Sequence, residues 1–178
     1  DKLYDFTRND GTVIMTVRSG VKDEHNNCIM EQLPTVYREL VGCHVSEYDP
    51  TGWGTNSVRF ADGECFNCKQ WCDILETDTA EVIARYDIDF YAGSPAVTVN
   101  NYGKGRAYYI GTIGERKMYE KLAKDILDKT GIAYITGLPE NVELTTRTGD
   151  GVTAQFIFNN SDEEKAFMLD GRDISLAP

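Results

Sequence analysis

The stretch DKLYDFTRNDGTVIMTV (1–17) decides the fold class of this chain. Residues 1–9 read as the end of a helix, residues 9–11 as a turn, and residues 12–17 as a short apolar strand rich in β-branched side chains. A glycine-terminated helix that leads into such a strand is typical of half an α/β crossover, and it normally follows a parallel strand. No strand precedes the helix here, so we expect an α/β domain whose first strands are missing and a chain that is part of a larger protein.

A second helix is predicted after Thr112. Thr112 and Glu115 have the spacing of a capping box, and Gly131 is a typical residue at the end of a helix. Two adjacent rows of apolar residues at i, i+4 spacing predict one broad buried face: Met118, Leu122, Ile126 and Tyr119, Ala123, Leu127. We expect the first row to cover a sheet core of Val13, Ile14, Val17, Val97, Val99, Tyr109 and Ile110.

Between these helices the pattern is mostly that of β-structure. Asp62-Gly63 is a strong hairpin signal, and a two-residue turn there would place Phe60 opposite Cys65. The further predicted elements are a short helix at 34–41 that stops at Gly42, a strand at 80–86, and a hairpin of 95–102 with 106–111.

From about residue 137 the composition changes to that of a small antiparallel β domain. Residues 142–148, 152–159 and 165–169 read as a β-meander, and residues 174–178 as the approach to a final strand that is missing. The pair Leu138-Pro139 suits a linker, so we predict domains at 1–136 and 137–178.

Composition excludes several classes of partner. The chain carries a net charge of −11, from 29 acidic and 18 basic residues, without a local basic cluster. Such a domain repels phosphate groups, which argues against nucleic acid and anionic membrane surfaces as partners. No apolar run approaches the ~18 residues that a membrane-spanning helix requires. The five irregularly spaced cysteines favour reduced thiols in a cytoplasmic protein.

Two cysteine patterns resemble chemical sites. Cys65-x-x-Cys68-x-x-x-Cys72 resembles part of a zinc site, but zinc requires four ligands, and a fourth would have to come from one of three distant residues: His25, Cys43 or His44. Cys43-His44 places a nucleophile beside a base, but the nucleophile-elbow motif requires glycine at position 45, which is valine. Metal binding by the cysteines stays open, and the sequence predicts no metal site.

Three further motifs have structural explanations. Residues 103–106 (GKGR) precede a strand and read as a hairpin turn rather than a phosphate cradle. Residues 111–114 (GTIG) belong to the predicted helix cap. Asp87 and Asp89 read as solvated charges at a strand end, since nothing indicates two different carboxylate environments. We therefore predict no catalytic residue and no cofactor.

The loops at 18–27 and 49–56 are the candidate contact regions. They are long, polar and partly aromatic, which suits an interface better than a core. The candidate interface residues are Lys22, Asp23, Glu24, His25 and Trp53, whereas Trp71 reads as a core residue.

Five ordered blocks carry a resemblance to a known family: TVIMTVRSGVKDEHNN (12–27), LPTVYRELVGCHVSEYDP (33–50), WCDILE (71–76), YAGSPAVTVNNYGKGRAYYIGT (91–112) and FIFNNSDEE (156–164). Together they resemble the rear part of the glycoside hydrolase family 42 β-galactosidases.

The resemblance implies a fold and a role. It implies that residues 1–136 are the latter part of a Rossmann-like, glutamine-amidotransferase-like three-layer trimerisation domain, and that 137–178 begin a small β domain. In that family a separate (β/α)8 barrel carries the catalytic glutamates, so no residue here inherits a catalytic role. The implied partners are further copies of the chain in a trimer and the barrel of its own parent chain.

Two functions follow from these observations. The first is a non-catalytic oligomerisation segment of an enzyme that hydrolyses terminal β-galactosides. The second is a free-standing carbohydrate-binding or protein-interaction module that uses Trp53 and nearby tyrosines as stacking platforms.

Overall fold

The computed structural model describes residues 2–52 and 54–178, and its contacts divide the chain into two compact units. The first unit ends at Thr130 and the second runs from Gly131 to Pro178. The helices of the first unit are α1 (Lys2–Arg8), α2 (Arg38–Val41), which a 3-10 turn at Thr35–Tyr37 precedes, and α3 (Arg116–Thr130).

The strands of the first unit form one mixed sheet. They are β1 (Thr12–Thr16), β2 (Cys43–Asp49), β3 (Thr55–Phe60), β4 (Cys65–Thr77), β5 (Glu81–Tyr86), β6 (Pro95–Tyr102), β7 (Gly105–Ile110) and β8 (Thr112–Gly114). Their order is β1-β7-β6-β5-β3-β4-β2, with β8 paired to β4. β1 and β7 pair in parallel, and the other described pairs of this sheet are antiparallel. The predicted entry from α1 into a parallel strand is therefore present, within a sheet that is mostly antiparallel.

Helices cover both faces of this sheet. Leu40 and Val41 of α2 pack with Tyr109 on one face, together with apolar residues of α1. Met118 and Leu122 of α3 pack on the other face, with Ile110. Neighbouring residues of β7 thus point into opposite cores, as the alternation of a strand requires.

Of the predicted sheet core, Val13, Val97, Tyr109 and Ile110 are buried, whereas Ile14, Val17 and Val99 are not. The prediction that α3 covers this whole core is also wrong, because Val13 and Tyr109 lie in the core on the opposite face. The prediction for Ile14 is wrong, because its side chain is 50% exposed, while Val13 and Met15 on either side of it are buried. β1 lies at the end of the described strand order, and Ile14 points to the face that α3 does not cover there. Val17 is only half-buried.

The helix α3 confirms one predicted row and corrects its predicted cap. Met118, Leu122 and Ile126 are buried, whereas in the second row Ala123 is exposed. The capping box is wrong: Thr112 lies in β8, where its hydroxyl donates to the carbonyl of Trp71 at 2.8 Å. Glu115 instead accepts a hydrogen bond from the N–H of Asn67 at 3.2 Å.

The hairpin at Asp62-Gly63 is confirmed, but its predicted register is off by one residue. Arg59 pairs with Cys65, and the N–H of Phe60 donates to the carbonyl of Glu64 at 2.9 Å. Phe60 is consequently buried and Cys65 is exposed, so Cys65 is not the core residue that the sequence suggested. The short helix before Gly42 is confirmed, and Gly42 has the left-handed φ of 64° that ends such helices.

The second unit consists of two separate hairpins rather than one meander. Its strands are β9 (Val142–Gly149), β10 (Val152–Asn159), β11 (Lys165–Leu169) and β12 (Arg172–Leu176). β9 pairs with β10 and β11 with β12. Residues 174–176, which the sequence suggested lead to a missing strand, are themselves part of β12. No described helix is long and apolar enough to cross a membrane.

Candidate interaction site

The loop after β1, residues 18–28, is ordered by its own polar side chains. The carboxylate of Asp23 accepts hydrogen bonds from the backbone N–H groups of His25 and Asn27, at 2.9 and 2.8 Å. It also accepts one from the side-chain amide of Asn27, and these bonds hold the pKa of Asp23 below its usual range. Lys22 donates to Asn26 at 2.7 Å.

The five predicted interface residues therefore have different roles. Lys22 and Asp23 shape the loop, whereas the side chains of Glu24 and His25 are mostly exposed and point outward near one another. Trp53, the fifth candidate, lies outside the described residues.

At the base of this loop lies a fully buried carboxylate, Asp73 of β4. Its Oδ1 accepts a hydrogen bond from the indole N–H of Trp71 at 2.7 Å, and its Oδ2 accepts one from the hydroxyl of Tyr109 at 2.9 Å. Arg18, the first residue of the loop, lies close enough for its charge to act on this carboxylate. Burial raises the pKa of the Asp73 carboxyl, and the hydrogen bonds from Trp71 and Tyr109, together with Arg18, oppose that rise because they favour its charged form.

Two side chains pack against the indole ring of Trp71. The ring of Tyr48 stacks on it with centroids 5.1 Å apart and an interplanar angle of 19°. The guanidinium carbon of Arg18 lies 4.8 Å from the ring centroid of Trp71, within the range of a cation–π contact. Trp71 is half-buried, so it is not the core residue that the sequence suggested. Arg18, Trp71 and Tyr48 are called the triple stack below.

Unusual backbone conformations place two members of the triple stack. Gln70, just before Trp71, has a φ of 70°, and Arg18 itself has a φ of 63°. Both lie in the left-handed region that residues other than glycine rarely adopt. The pairing of β4 with β8 shifts register between Lys69 and Cys72, so Gln70 and Trp71 form a bulge, a device that re-aims side chains.

A groove lies beside the triple stack. It has a volume of about 490 Å³ and is lined by residues 30–33 and 45–48. Met30 on its rim is 94% exposed and Tyr48 is 55% exposed. Tyr48 belongs both to the groove and to the triple stack, so the two form a continuous surface.

Of the three cysteines whose spacing resembles part of a zinc site, the structure keeps two together and sets one apart. Cys68 and Cys72 are buried in the same hydrophobic cluster, whereas Cys65 is exposed. Among the described residues, no three His, Cys, Asp or Glu side chains group as a metal site would require. Cys72 lies 3.5 Å from the hydroxyl of Thr112.

Cys43 and His44 point in different directions. Cys43 lies in the core, 3.4 Å from the hydroxyl of Thr98, and burial raises the pKa of its thiol to about 11. A thiol with so high a pKa is a poor nucleophile at neutral pH. The imidazole of His44 lies between two carboxylates, 3.3 Å from Asp78 and 3.4 Å from Glu76.

The remaining motifs serve the fold. In the turn at 103–104 the N–H of Lys104 donates to the carbonyl of Arg8 at 3.1 Å, so it is used within the protein. Asp87 forms a two-bond ion pair with Arg59, which holds the pKa of that carboxyl below its usual range. Asp89 accepts a hydrogen bond from the N–H of the residue that follows it.

Comparisons with known proteins agree on a single family. A family model described as the β-galactosidase trimerisation domain matches residues 1–133. A β-galactosidase from Clostridium cellulovorans is 41% identical over 99% of this chain, and one from Lactobacillus acidophilus is 33% identical over 92%. The chain spans only 29% and 25% of the length of these relatives.

Solved structures give the same answer. A cold-adapted β-galactosidase from Rahnella sp. R3 superposes with a TM-score of 0.90 at 28% identity, covering 98% of this chain and 28% of that one. The family 42 β-galactosidase Gan42B superposes with a TM-score of 0.86 at 29% identity, covering 99% of this chain and 28% of its own.

Proposed function

Because the chain belongs to the glycoside hydrolase family 42 β-galactosidases, as their trimerisation domain, we propose that it assembles a trimeric enzyme that hydrolyses terminal β-galactosides. The segment itself is a non-catalytic part of a larger enzyme. The observation that carries the proposal is the 41% identity along 99% of the chain to a β-galactosidase of which it is only 29%. These matches do not favour a free-standing carbohydrate-binding or interaction module.

The proposed division of labour assigns the chemistry to the remainder of the parent chain. Retaining glycosidases use two carboxyl groups about 5 Å apart, one as nucleophile and one as acid and base. The acidic pair considered in the sequence, Asp87 and Asp89, is already engaged: Asp87 binds Arg59, and Asp89 accepts a hydrogen bond from the N–H of the next residue. We propose that the catalytic barrel of the same chain is one partner, and further copies of the chain are the others.

The finer points of architecture and location are proposals as well. A Rossmann-like three-layer arrangement is supported by the parallel pair β1–β7 and by helices on both faces of the sheet. A boundary near 136/137 is supported by the end of the family match at residue 133 and by the compact unit that ends at Thr130. Five free cysteines, three of them buried, suit a reducing cytoplasm.

For the subunit contacts we propose the loops at 18–27 and 49–56. In the first loop the internal hydrogen bonds of Asp23 pre-organise the backbone, so little entropy is lost when Glu24 and His25 meet a partner. Trp53 is the proposed contact residue of the second loop. These assignments predict that changes at Glu24 or His25 weaken association without destabilising the fold.

One experiment tests both halves of the proposal. The 178-residue chain and the full-length protein are assayed with a nitrophenyl β-galactoside, and both are studied by analytical ultracentrifugation. We expect turnover by the full-length protein alone, and a trimer for that protein. Turnover by the purified 178-residue chain would refute the non-catalytic role. A monomeric full-length protein at high concentration would refute the assembly role.

A further inference from the structure

We propose that the triple stack of Arg18, Trp71 and Tyr48 anchors a contact with a second copy of the chain, and that Asp73 is the positioning residue that holds this anchor in place. The inference rests on the proposed assembly function and names the surface that performs it.

The buried charge of Asp73 positions residues of the triple stack. Asp73 is fully buried, and a buried carboxylate is costly unless donors surround it. One of its donors is the indole N–H of Trp71, and the charge of Arg18 acts on it as well. The carboxylate therefore ties Trp71 to the centre of the sheet and attracts Arg18 to the same place, which is more than an apolar residue at this position would do.

Two residues at the triple stack adopt unfavourable backbone conformations. Arg18 and Gln70 both have positive φ values, of 63° and 70°, and neither is a glycine. Such conformations are unfavourable for residues other than glycine and concentrate at functional sites. Here they do not shape an enclosed pocket. Their common result is that the guanidinium of Arg18 lies on the indole of Trp71.

The residue types of the triple stack indicate what kind of partner it binds. Trp, Tyr and Arg are the residues most enriched at binding hot spots, and a pre-ordered anchor loses little side-chain entropy on binding. The charge of Arg18 acts on Asp73, but its guanidinium lies within ion-pair distance of no carboxylate among the described residues, so its N–H donors can bind a carboxylate of a partner. A second copy of a chain with 29 acidic residues and a net charge of −11 supplies such carboxylates.

Through Tyr48 the triple stack adjoins the groove at 30–33 and 45–48, whose rim carries the almost fully exposed Met30. The lining of this groove is mixed, because four of its eight residues are apolar and the other four are Glu31, Gln32, Ser46 and Glu47. Exposed apolar area beside an oriented cation is the combination of an interface core and its polar rim. We infer that the second copy places an apolar side chain in the groove and a carboxylate on Arg18.

The test uses the full-length protein and measures its self-association constant. Arg18→Ala and Tyr48→Ala remove exposed parts of the anchor and should each weaken association at least about tenfold, while the thermal midpoint stays within ~2 °C. Arg85→Ala is the matched control, because Arg85 is also an exposed arginine of the same sheet, and its guanidinium donates a hydrogen bond to the carbonyl of Gly93. Association of the control should not change.

Asp73 requires a readout that a purely structural role would not change. Asp73→Asn keeps an acceptor for the indole N–H, whereas Asp73→Leu keeps none. We expect the leucine variant to lose the near-ultraviolet circular dichroism of the Trp71–Tyr48 pair and to associate as weakly as Arg18→Ala. The asparagine variant should retain most of both signals. If the leucine variant is unfolded, the asparagine variant and the two surface variants still decide the matter.

The outcomes separate the two hypotheses. Normal association of both Arg18→Ala and Tyr48→Ala refutes the anchor and leaves the assembly function intact. A full-length wild-type protein that is strictly monomeric refutes the assembly function itself. Intact assembly with a loss of galactosidase activity in the surface variants would mean that the triple stack contacts the rest of its own chain, which also refutes a second copy as the occupant.

Discussion

Tyr109→Phe removes one hydroxyl from the buried network and should destabilise the protein in a pH-dependent manner. Tyr109 is fully buried, and its hydroxyl donates to Oδ2 of Asp73 at 2.9 Å. Hydrogen bonds to charged groups contribute about 1.5–3 kcal/mol, and a buried acceptor left without its donor loses at least that much. We therefore expect the free energy of unfolding at pH 8 to fall by about 1.5–3 kcal/mol, as measured by urea titration.

The dependence on pH identifies the cause. Burial raises the pKa of Asp73 in the folded protein, and loss of a donor that favours the charged form raises it further. Because the pKa of Asp73 is higher in the folded than in the unfolded protein, its charge destabilises the folded state at a pH above the folded pKa. This destabilisation is absent below the unfolded pKa of about 3.9, where the carboxyl is protonated in both states. The difference between wild type and Tyr109→Phe should therefore be largest at pH 8 and decrease towards pH 4.

The neighbouring tyrosine provides the control. Tyr108 is also buried and lies on the same strand, but its hydroxyl makes no hydrogen bond to a described residue. Tyr108→Phe removes the same atom and should change stability by less than about 0.5 kcal/mol at either pH. Equal losses in the two variants, or a loss in Tyr109→Phe that does not decrease on acidification, would show that the charge of Asp73 is not what the hydroxyl stabilises.

Three further changes test the core, an ion pair and a turn. Leu122→Ala should cost about 2–5 kcal/mol in urea unfolding because its side chain is only 3% exposed, and a loss below ~0.5 kcal/mol would mean that α3 is oriented differently. Arg38 holds the pKa of Asp78 below its usual range. Asp78→Asn should therefore lower the stability at pH 7, and this loss should disappear as the pH falls through the lowered pKa of Asp78. A loss of stability that persists in acid would contradict this explanation. Gly42→Ala should cost more than about 1 kcal/mol, because φ is 64° and a Cβ would lie 2.5 Å from a side chain of β6. Gly52→Ala is the control: its φ is 59°, but a Cβ there would lie in open space, so its cost should be clearly less in the same thermal or urea titration.

Local patterns in the sequence predicted the elements that local interactions determine. The row Met118, Leu122 and Ile126 follows helical spacing, so its burial could be read without knowledge of any partner. The hairpin at Asp62-Gly63 was predicted for the same reason, since a turn is specified by its own residues. Its register was not, because a third residue in the turn shifts Cys65 from opposite Phe60 to opposite Arg59.

The extent of β4 could not be predicted because partners that are distant in sequence determine it. Its 13 residues pair with β3 along the first half and with β2 along the second. Polar residues such as Lys69 and Gln70 interrupt the apolar pattern where β8 pairs with it. Thr112 was misread for a related reason: the spacing of a capping box was present, but its hydroxyl had a partner in β4 that no local pattern reveals.

The local pattern of the sequence does not reveal the triple stack, because the stack depends on the bulge of β4. A glycine at position 70 would have indicated a positive φ, but the residue is Gln70, which adopts that conformation in the bulge where the register of β4 with β8 shifts. The remaining clue was Asp73, a carboxylate that follows Trp71 by two residues in an otherwise apolar run and therefore had to find donors within the fold. An isolated acid in an apolar run is thus a better indicator of such a site than the exposed charges of the loop at 18–27. It implies that some aromatic or cationic group is held at a fixed place, and here Trp71 and Arg18 are those groups.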